Sequence, residues 1–232
     1  GVFYTLNRLG LRVMGDIGCY TLAALPPLSA MDACLCMGAS IGMASGAERA
    51  QGRAFSHGTV AVLGDSTFLH SGITPLIDAV YNQEAITVLI LDNRITGMTG
   101  HQQNPSTGLD IHNAPAPAVD LEKLCLACGV SHVTVVDPFD LKAMEQALKE
   151  ETARDAVSVV IARRPCALLE KTTEPPYRID NCKNCGACMK LSCPAIERRE
   201  NRVEINPALC IGCGMCAQVC PFHAIGKGER AL

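Results

Sequence analysis

Short apolar runs alternate with amphipathic stretches along the chain as far as about residue 162. The runs are strand-length and almost continuously apolar, as strands buried on both faces of a sheet are. They lie at 33–37, 59–63, 85–91, 133–136 and 157–161, with a further strand before Cys19. Helical patterns fill the intervals at 39–53, 67–83, 119–128 and 139–151. This alternation predicts an α/β domain with a mostly parallel sheet and helices on both faces.

The pattern changes near residue 165. The segment 163–178 carries Pro165, Pro175 and Pro176 among charged residues, which is typical of a linker. Beyond it the chain is short, rich in cysteine and locally basic. We therefore predict an α/β domain at 1–162, a linker at 163–178 and a small second domain at 179–232.

Composition and charge exclude several classes of protein. The 232 residues are 48% hydrophobic, enough for a core, and the net charge of -3 argues against a nucleic-acid-binding protein. The longest apolar runs are too short to span a membrane, and the first residues lack the basic region of a signal peptide. Since the chain begins at Gly1 without an initiator Met, we expect it to be part of a longer protein.

Cysteine is the most informative residue type. The chain contains 14 cysteines, many of them crowded between Cys182 and Cys220 at spacings of a few residues. Such crowding suits thiolate ligation of metal, whereas a secreted disulfide scaffold spreads its cysteines along a short chain. Thiolate ligands need a reducing compartment, so we expect the protein to be cytoplasmic.

The crowded cysteines form an internal repeat. C-x2-C-x2-C-x4-C-P, starting at Cys182, recurs as C-x2-C-x2-C-x3-C-P, starting at Cys210. The second copy is the bacterial ferredoxin run, in which three cysteines hold one [4Fe–4S] cluster and the fourth holds the other. The alternative is zinc, which also binds C-x2-C pairs, although triplets that exchange their fourth ligands fit tetrahedral zinc poorly.

Residues 179–229 resemble the two-cluster ferredoxins, which are small α+β domains. With the fourth ligands crossed, cluster one takes Cys182, Cys185, Cys188 and Cys220. Cluster two takes Cys210, Cys213, Cys216 and Cys193.

Polar residues follow two of the predicted strands. One strand ends in Gly64-Asp65-Ser66 and the next in Asp92-Asn93. A βαβ crossover brings the carboxyl ends of both strands to one sheet edge, where ligands bind. A carboxylate and an amide, completed by diphosphate oxygens, are a usual Mg²⁺ ligand set. An ordinary turn is the alternative, because Gly-Asp is common at strand ends.

In this context the two strand ends resemble the Mg²⁺–diphosphate motif of thiamine-dependent enzymes, GDG followed by NN. Ser66 replaces the last Gly and Asp92 the first Asn, and the implied Mg²⁺ ligands are Asp65, Asn93 and the carbonyl of Ile95. With the stretches 15–20, 37–42 and 96–102, essentially the whole chain is similar to the cofactor half of the large subunit of indolepyruvate:ferredoxin oxidoreductases. The cofactor-binding residues so implied are Gly15, Asp16, Gly18, Cys19, Gly38, Ser40, Gly64, Asp65, Ser66, Thr67, Asn93, Met98 and Thr99.

The resemblance implies a reaction, cofactors and partners. An aryl 2-oxoacid, indolepyruvate, would be oxidatively decarboxylated to its acyl-CoA with thiamine diphosphate, Mg²⁺, two [4Fe–4S] clusters and coenzyme A as co-substrate. Ferredoxin would be the electron acceptor. The family also implies an N-terminal pyrimidine-binding region, a small second subunit and an oligomer, with no nucleic-acid or membrane partner. We therefore expect the isolated chain to be inactive.

Other interpretations stay open. One alternative is a pyruvate- or 2-oxoglutarate-type oxidoreductase, which has the same parts and differs in its substrate. A non-catalytic electron-transfer subunit would have no use for Mg²⁺ ligands such as Asp65 and Asn93. His70 and His101 are candidate catalytic residues for the substrate carboxylate, or ordinary hydrogen-bonded loop histidines. Cys19 is a candidate to approach the thiazolium ring, to ligate a further cluster, or to be a packed thiol.

Overall fold

The α/β domain is built on one parallel sheet. The computed structural model describes residues 1–169, 174–200 and 202–228. The sheet has six strands in the order β2-β1-β3-β4-β6-β5, and every pairing in it is parallel. The strands are β1 Arg12–Gly15, β2 Ala33–Cys34, β3 Thr59–Gly64, β4 Thr87–Asp92, β5 His132–Val136 and β6 Ser158–Arg163. The predicted α/β fold is confirmed.

The helices cover both faces of this sheet, because the buried strands β3, β4 and β6 carry apolar residues at successive positions. Leu63, Ile90 and Ile161 face one layer, which packs on the α2, α5 and α6 side. Val62, Leu89 and Val160 face the other, on the α1 and α7 side. The helices are α1 Val2–Leu9, α2 Ala39–Gln51, α3 Arg53–Ser56, α4 Asp65–Thr67, α5 Ile73–Tyr81, α6 Leu121–Ala127 and α7 Leu141–Glu151.

The cysteine-rich part has its own small core. Its elements are β7 Tyr177–Ile179, β8 Ile196–Arg199, β9 Arg202–Ile205, α8 Met215–Val219 and β10 Ile225–Lys227, with a 3₁₀ turn at Ala187–Leu191. β7 pairs with β10 and β8 with β9, both antiparallel. Leu191, Ile196, Val203 and Ile225 are buried between these hairpin-like pairs. This is the predicted small α+β domain.

The two domains are in contact through α7 and α8. Leu141, the first residue of α7, is buried in the core of the cysteine-rich domain. The side chain of Gln218 in α8 donates to the carbonyl of Phe139 (2.8 Å) and accepts from the backbone N–H of Leu141 (3.0 Å). Gln218 thus satisfies an N–H at the start of α7 that has no partner within the helix.

Several boundaries differ from the predicted ones. The predicted strand at 33–37 is reduced to β2, because the chain turns into Gly38, which has a φ of +86° and begins α2. The predicted helix at 67–83 starts earlier, at Asp65, and contains a π-helical turn at Phe68–Gly72. Helix α1 was not predicted. Both ends of the predicted linker belong to strands, namely Arg163 to β6 and Tyr177 to β7, and its residues 170–173 lie outside the described part. In the described ranges, no helix combines the length and apolarity needed to cross a membrane.

Candidate cofactor site

Asp65 is a buried carboxylate at the carboxyl end of β3. Only 2% of it is exposed. One carboxylate oxygen accepts from the N–H of Ser66 (2.8 Å), and the other from the side chains of Asn104 (3.2 Å) and Ser106 (3.5 Å). Burial raises the pKa of Asp65 to about 6, although the hydrogen bonds from Ser66 and Asn104 favour its charged form. These contacts orient the carboxylate at the sheet edge where ligands of such folds bind.

The turn after β1 is held against the end of β3. Tyr20 accepts a hydrogen bond from the N–H of Gly64 (3.0 Å), and a Cβ on Gly64 would lie 3.3 Å from the Tyr20 ring. Asp16, which is fully buried, accepts from the N–H groups of Ile17 and Gly38, both at 2.7 Å. Gly38 has a φ of +86°, and a Cβ there would come within 2.4 Å of the Ser71 hydroxyl. These residues shape the edge next to Asp65.

The loop after β4 forms the other wall. Asn93 follows β4, and its side-chain oxygen accepts from the N–H of Ile95 (3.3 Å). Thr96 donates to the hydroxyl of Ser66 (2.9 Å), which ties this loop to the end of β3. Asp92 points elsewhere: its carboxylate pairs with Arg163 (2.7 Å) and Arg94 (3.3 Å). Asp92, which replaces the first Asn of the NN motif, is therefore held by two arginines and does not face the site.

These elements enclose a cavity of about 310 Å³ with mostly apolar walls. The predicted site residues that line it are Gly18, Cys19, Gly64, Asp65, Ser66, Thr67, Asn93, Ile95, Met98 and Thr99. The predicted residues Gly15, Asp16, Gly38 and Ser40 do not line it; Asp16 and Gly38 brace its rim through the contacts described above. Ser40 is buried, and its hydroxyl has no hydrogen-bond partner in the described structure.

The two candidate histidines lie outside this cavity. His70 is exposed on the π-helical turn, where its Nδ1 contacts the Ser71 hydroxyl (2.9 Å). His101 is exposed at a φ of +62°. Cys19 is exposed and lines the cavity, so it is not a packed core thiol.

Several residues of the site were not predicted from the sequence. Ile17, Tyr20, Met37, Leu91 and Thr96 line the cavity. Asn104 and Ser106 contact Asp65 from outside it. Tyr20 and Thr96 fall in stretches that carry the family resemblance. Asn104 and Ser106 lie in an irregular loop with no motif to mark them.

The residues present fit Mg²⁺ and a diphosphate. Asp65, Asn93 and the carbonyl of Ile95 offer hard oxygen ligands on one cavity. Asp65 is a buried carboxylate with no Lys or Arg ion pair among the residues described, and a buried charge of this kind is normally balanced by a cation. Gly64 is packed against Tyr20, so a side chain there would push on the ring that lines the cavity.

The structure gathers the crowded cysteines into two sets. The pKa of Cys188 is raised by burial and then by the nearby Cys182, Cys185 and Cys220. The pKa of Cys216 is raised to about 12 by burial and then by Cys213, Cys210 and Cys193. The fourth member of each set therefore comes from the other repeat. In the described ranges no three His, Cys, Asp or Glu side chains meet closely enough for one metal ion; a cubane binds each thiolate at a different iron.

Backbone groups are positioned around these sulfurs. The N–H of Tyr177 points at Cys210 Sγ, and those of Asn184 and Ala224 point at Cys182 and Cys220, all at 3.3–3.4 Å. A Cβ on Gly212 would collide with Glu174 at 2.6 Å, so glycine lets the second cysteine loop pass close to the neighbouring backbone. Hydrogen bonds to sulfur and a compact loop are what a [4Fe–4S] cluster requires, and they tune its potential.

Comparison with known proteins agrees with this geometry. Residues 16–162 match the family described as thiamine pyrophosphate enzyme, C-terminal TPP binding domain. The chain belongs to this family. Residues 203–226 match the 4Fe-4S binding domain.

Relatives of this TPP-binding and ferredoxin chain include two archaeal proteins, each named indolepyruvate oxidoreductase subunit IorA. That of Archaeoglobus fulgidus is 39% identical over 96% of this chain and 37% of its own length. That of Methanothermobacter marburgensis is 43% identical over 93% and 35%. The chain thus spans about a third of the length of the curated relatives it matches, and it corresponds to their C-terminal part. The resemblance found in the sequence is confirmed.

A solved structure supports the fold. The 2-oxoglutarate:ferredoxin oxidoreductase from Magnetococcus marinus superposes with a TM-score of 0.59 at 16% identity, over 82% of this chain and 73% of that one. At this identity the similarity establishes the fold alone.

Proposed function

We propose that this chain is the cofactor-binding and electron-transfer part of a 2-oxoacid:ferredoxin oxidoreductase, with indolepyruvate as substrate and its acyl-CoA as product. The observation that carries the proposal is the pairing of two sites in one chain. The first site is the cavity at the sheet edge, which is lined by the buried carboxylate of Asp65. The second is the domain with the two cysteine sets, which packs on the same α/β domain. The names of the IorA relatives support the choice of substrate.

At the cavity, the residues of this chain bind and orient. Asp65, Asn93 and the carbonyl of Ile95 would hold Mg²⁺, and the backbone from Gly64 to Thr67 would face the diphosphate. Thiamine diphosphate, when bound, supplies the electron sink for the pair of electrons left behind by CO₂. Ile17, Leu91 and Met98 give the cavity apolar walls, which would surround the reacting region with the cofactor bound.

In the second domain, the cysteines would hold two [4Fe–4S] clusters, which supply one-electron storage. The bonds from Gln218 to Phe139 and Leu141 hold the second cysteine loop against the α/β domain. The proposal also includes an N-terminal pyrimidine-binding region, because the relatives extend well beyond this chain, and a small second subunit, because the relatives are named as subunits. It further includes a coenzyme A site. Cluster thiolates and the remaining reduced cysteines need a reducing compartment, so we propose that the enzyme is cytoplasmic.

Substrate profiling of the complete enzyme tests the proposal. Rates of viologen reduction would be measured with indolepyruvate, pyruvate and 2-oxoglutarate, each with coenzyme A and thiamine diphosphate. We expect the highest kcat/KM with indolepyruvate, because specificity is a ratio of these values. A preference for pyruvate or 2-oxoglutarate would move the enzyme to that class. No reduction with any 2-oxoacid would contradict the proposed function.

The isolated chain provides a second test. Dithionite should reduce its clusters, because all their proposed ligands are present. Indolepyruvate with coenzyme A should not reduce viologen, since the pyrimidine-binding region is missing. Turnover by this chain alone would show that the remaining catalytic groups lie within it.

A further inference from the structure

The two cysteine sets differ in their surroundings. Cys182 and Cys185 are exposed, whereas the second cysteine loop lies on the side that contacts the α/β domain. On that side Gln218 bonds to Phe139 and Leu141, and a Cβ on Gly1 would come within 3.0 Å of the Met215 sulfur. The Cys210 set therefore lies against the α/β domain, where Cys213 and Cys193 are also close to the amino group of Gly1. The Cys182 set is left facing outward.

Two cations, Lys183 and Arg198, lie beside the exposed set. Lys183 and Phe222 line a small cavity together with Cys182, Cys185 and Gly186. Arg198 lies beside them, with its guanidinium 3.5 Å from where a Cβ on Gly186 would be. We call Lys183, Cys185, Arg198 and Phe222 the exit face.

The two cations of the exit face are unpaired in the part of the chain that the structure describes. Neither Lys183 nor Arg198 has an ion-pair partner among the residues that the structure describes. Other arginines of this domain are paired: Arg178 with Asp180, Arg199 with Glu197, and Arg202 with Glu204. Phe222, at 52% exposed, adds an apolar anchor beside the cations. Two unpaired cations near an exposed aromatic residue suit a partner of opposite charge.

We propose that the exit face is the docking site of an acidic ferredoxin, which takes its electrons from the Cys182, Cys185, Cys188 and Cys220 cluster. This inference rests on the proposed function. In each transfer one electron leaves the reduced cluster, which becomes oxidised, and one oxidised ferredoxin becomes reduced. No bond forms or breaks and no proton moves. Charge complementarity speeds the encounter and orients the partner over the exposed cysteines.

Charge reversal on the exit face tests the proposal in the complete enzyme. The double variant Lys183→Glu with Arg198→Glu should lower kcat/KM for an acidic ferredoxin by roughly tenfold or more at low salt. The rate with methyl viologen, a small cation that needs no docking surface, should not fall. The difference should shrink on going from 0.1 M to 1 M salt, where the screening length drops from about 10 Å to about 3 Å.

Lys190→Glu is the matched control. Lys190 belongs to the same domain but lines a different groove, with Tyr4, Arg8 and Leu28. It reverses one cation away from the exit face, so its match is the single variant Lys183→Glu, and its ferredoxin kinetics should be nearly unchanged. Phe222→Ala, which alters no charge, should raise KM for ferredoxin at every salt concentration and thus reports on docking independently of charge.

Several outcomes would overturn the docking site. One is unchanged ferredoxin kinetics in both exit-face variants, and another is an equal loss in Lys190→Glu. A third is loss of subunit assembly, seen by size-exclusion chromatography, because another part of the enzyme would then occupy this face. If the wild-type enzyme failed to reduce viologen with every 2-oxoacid tested, the proposed function would be contradicted, but the docking site would not yet be. In that case, calorimetry would measure ferredoxin binding to the dithionite-reduced enzyme. Weaker binding to the exit-face variants, but not to Lys190→Glu, would still support the docking site.

Discussion

The hydroxyl of Tyr20 accepts a hydrogen bond from the backbone N–H of Gly64 at 3.0 Å, and so joins the turn after β1 to the end of β3. The two residues lie 44 positions apart in the chain. Because Gly64 immediately precedes the buried Asp65, the phenol fixes the strand end from which the carboxylate emerges. Tyr20 is thus a positioning residue for the candidate Mg²⁺ site, and its ring is one wall of the cavity.

Tyr20→Phe should destabilise the fold and weaken cofactor binding. It leaves the N–H of Gly64 without its partner, which costs about 1–3 kcal/mol where water cannot replace it. For a protein of this size, each kcal/mol lowers Tm by about 2–4 °C. Thermal unfolding and titration with thiamine diphosphate and Mg²⁺ would measure both effects. Tyr81→Phe, at a side chain that is 83% exposed, is the control and should change neither.

Asp65→Asn should abolish binding of Mg²⁺ and thiamine diphosphate without unfolding the chain. The substitution removes the only carboxylate of the proposed Mg²⁺ ligand set but keeps the size of the side chain. The buried charge has no cationic partner in the described structure, but the amide can accept hydrogen bonds on only one of the two positions, so stability should fall by about 1–3 kcal/mol at most. Calorimetric titration and thermal unfolding would separate the two effects. Unchanged cofactor affinity would rule out this site, and Asp78→Asn on the exposed face of α5 is the control.

Cys193→Ser should damage the same cluster as Cys213→Ser, although Cys193 belongs to the other repeat. The pKa of Cys193 is raised by burial and then by Cys213 and Cys210, which places it among the second set. Iron analysis and EPR of the reduced variants would show which cluster signal is lost. Loss of the Cys182 cluster signal in Cys193→Ser would contradict the crossed ligation. Cys166→Ser, outside both sets, should retain both signals.

Cys125 should resist thiol reagents in the native protein. It is fully buried in the core, and burial raises its pKa from 9.0 to about 12, whereas Cys19 and Cys36 are exposed. Mass spectrometry after iodoacetamide treatment at pH 8 should find label on Cys19 and Cys36 but none on Cys125 until denaturant is added. The contribution of Cys125 to stability is constant below pH 9 and falls as the pH rises towards 12, because only the unfolded state then loses this proton.

Features that depend on neighbouring positions in the chain could be predicted from the sequence. The buried strands are visible in the sequence as continuous apolar runs, and Asp65 and Asn93 follow two of these runs directly. The fold class and the resemblance to a thiamine and ferredoxin subunit are confirmed. The residues assigned to Mg²⁺, to thiamine diphosphate and to each cluster stay predictions, which the variants above test. Helix α1 was not predicted, because its eight residues make only about two turns and a helical period hardly repeats in them.

Only the tertiary structure decided which distant groups surround those residues. Asn104 and Ser106 reach Asp65 across about 40 positions from an irregular loop, where no periodicity predicts a contact. The same holds for Gln218, whose bonds to Phe139 and Leu141 orient one domain on the other. Hydrophobic periodicity and cysteine spacing involve residues close together in the chain, so they can be recognised in the sequence alone. Hydrogen bonds between loops depend on how the packed sheet brings the loops together, and that is settled by burial of the whole core.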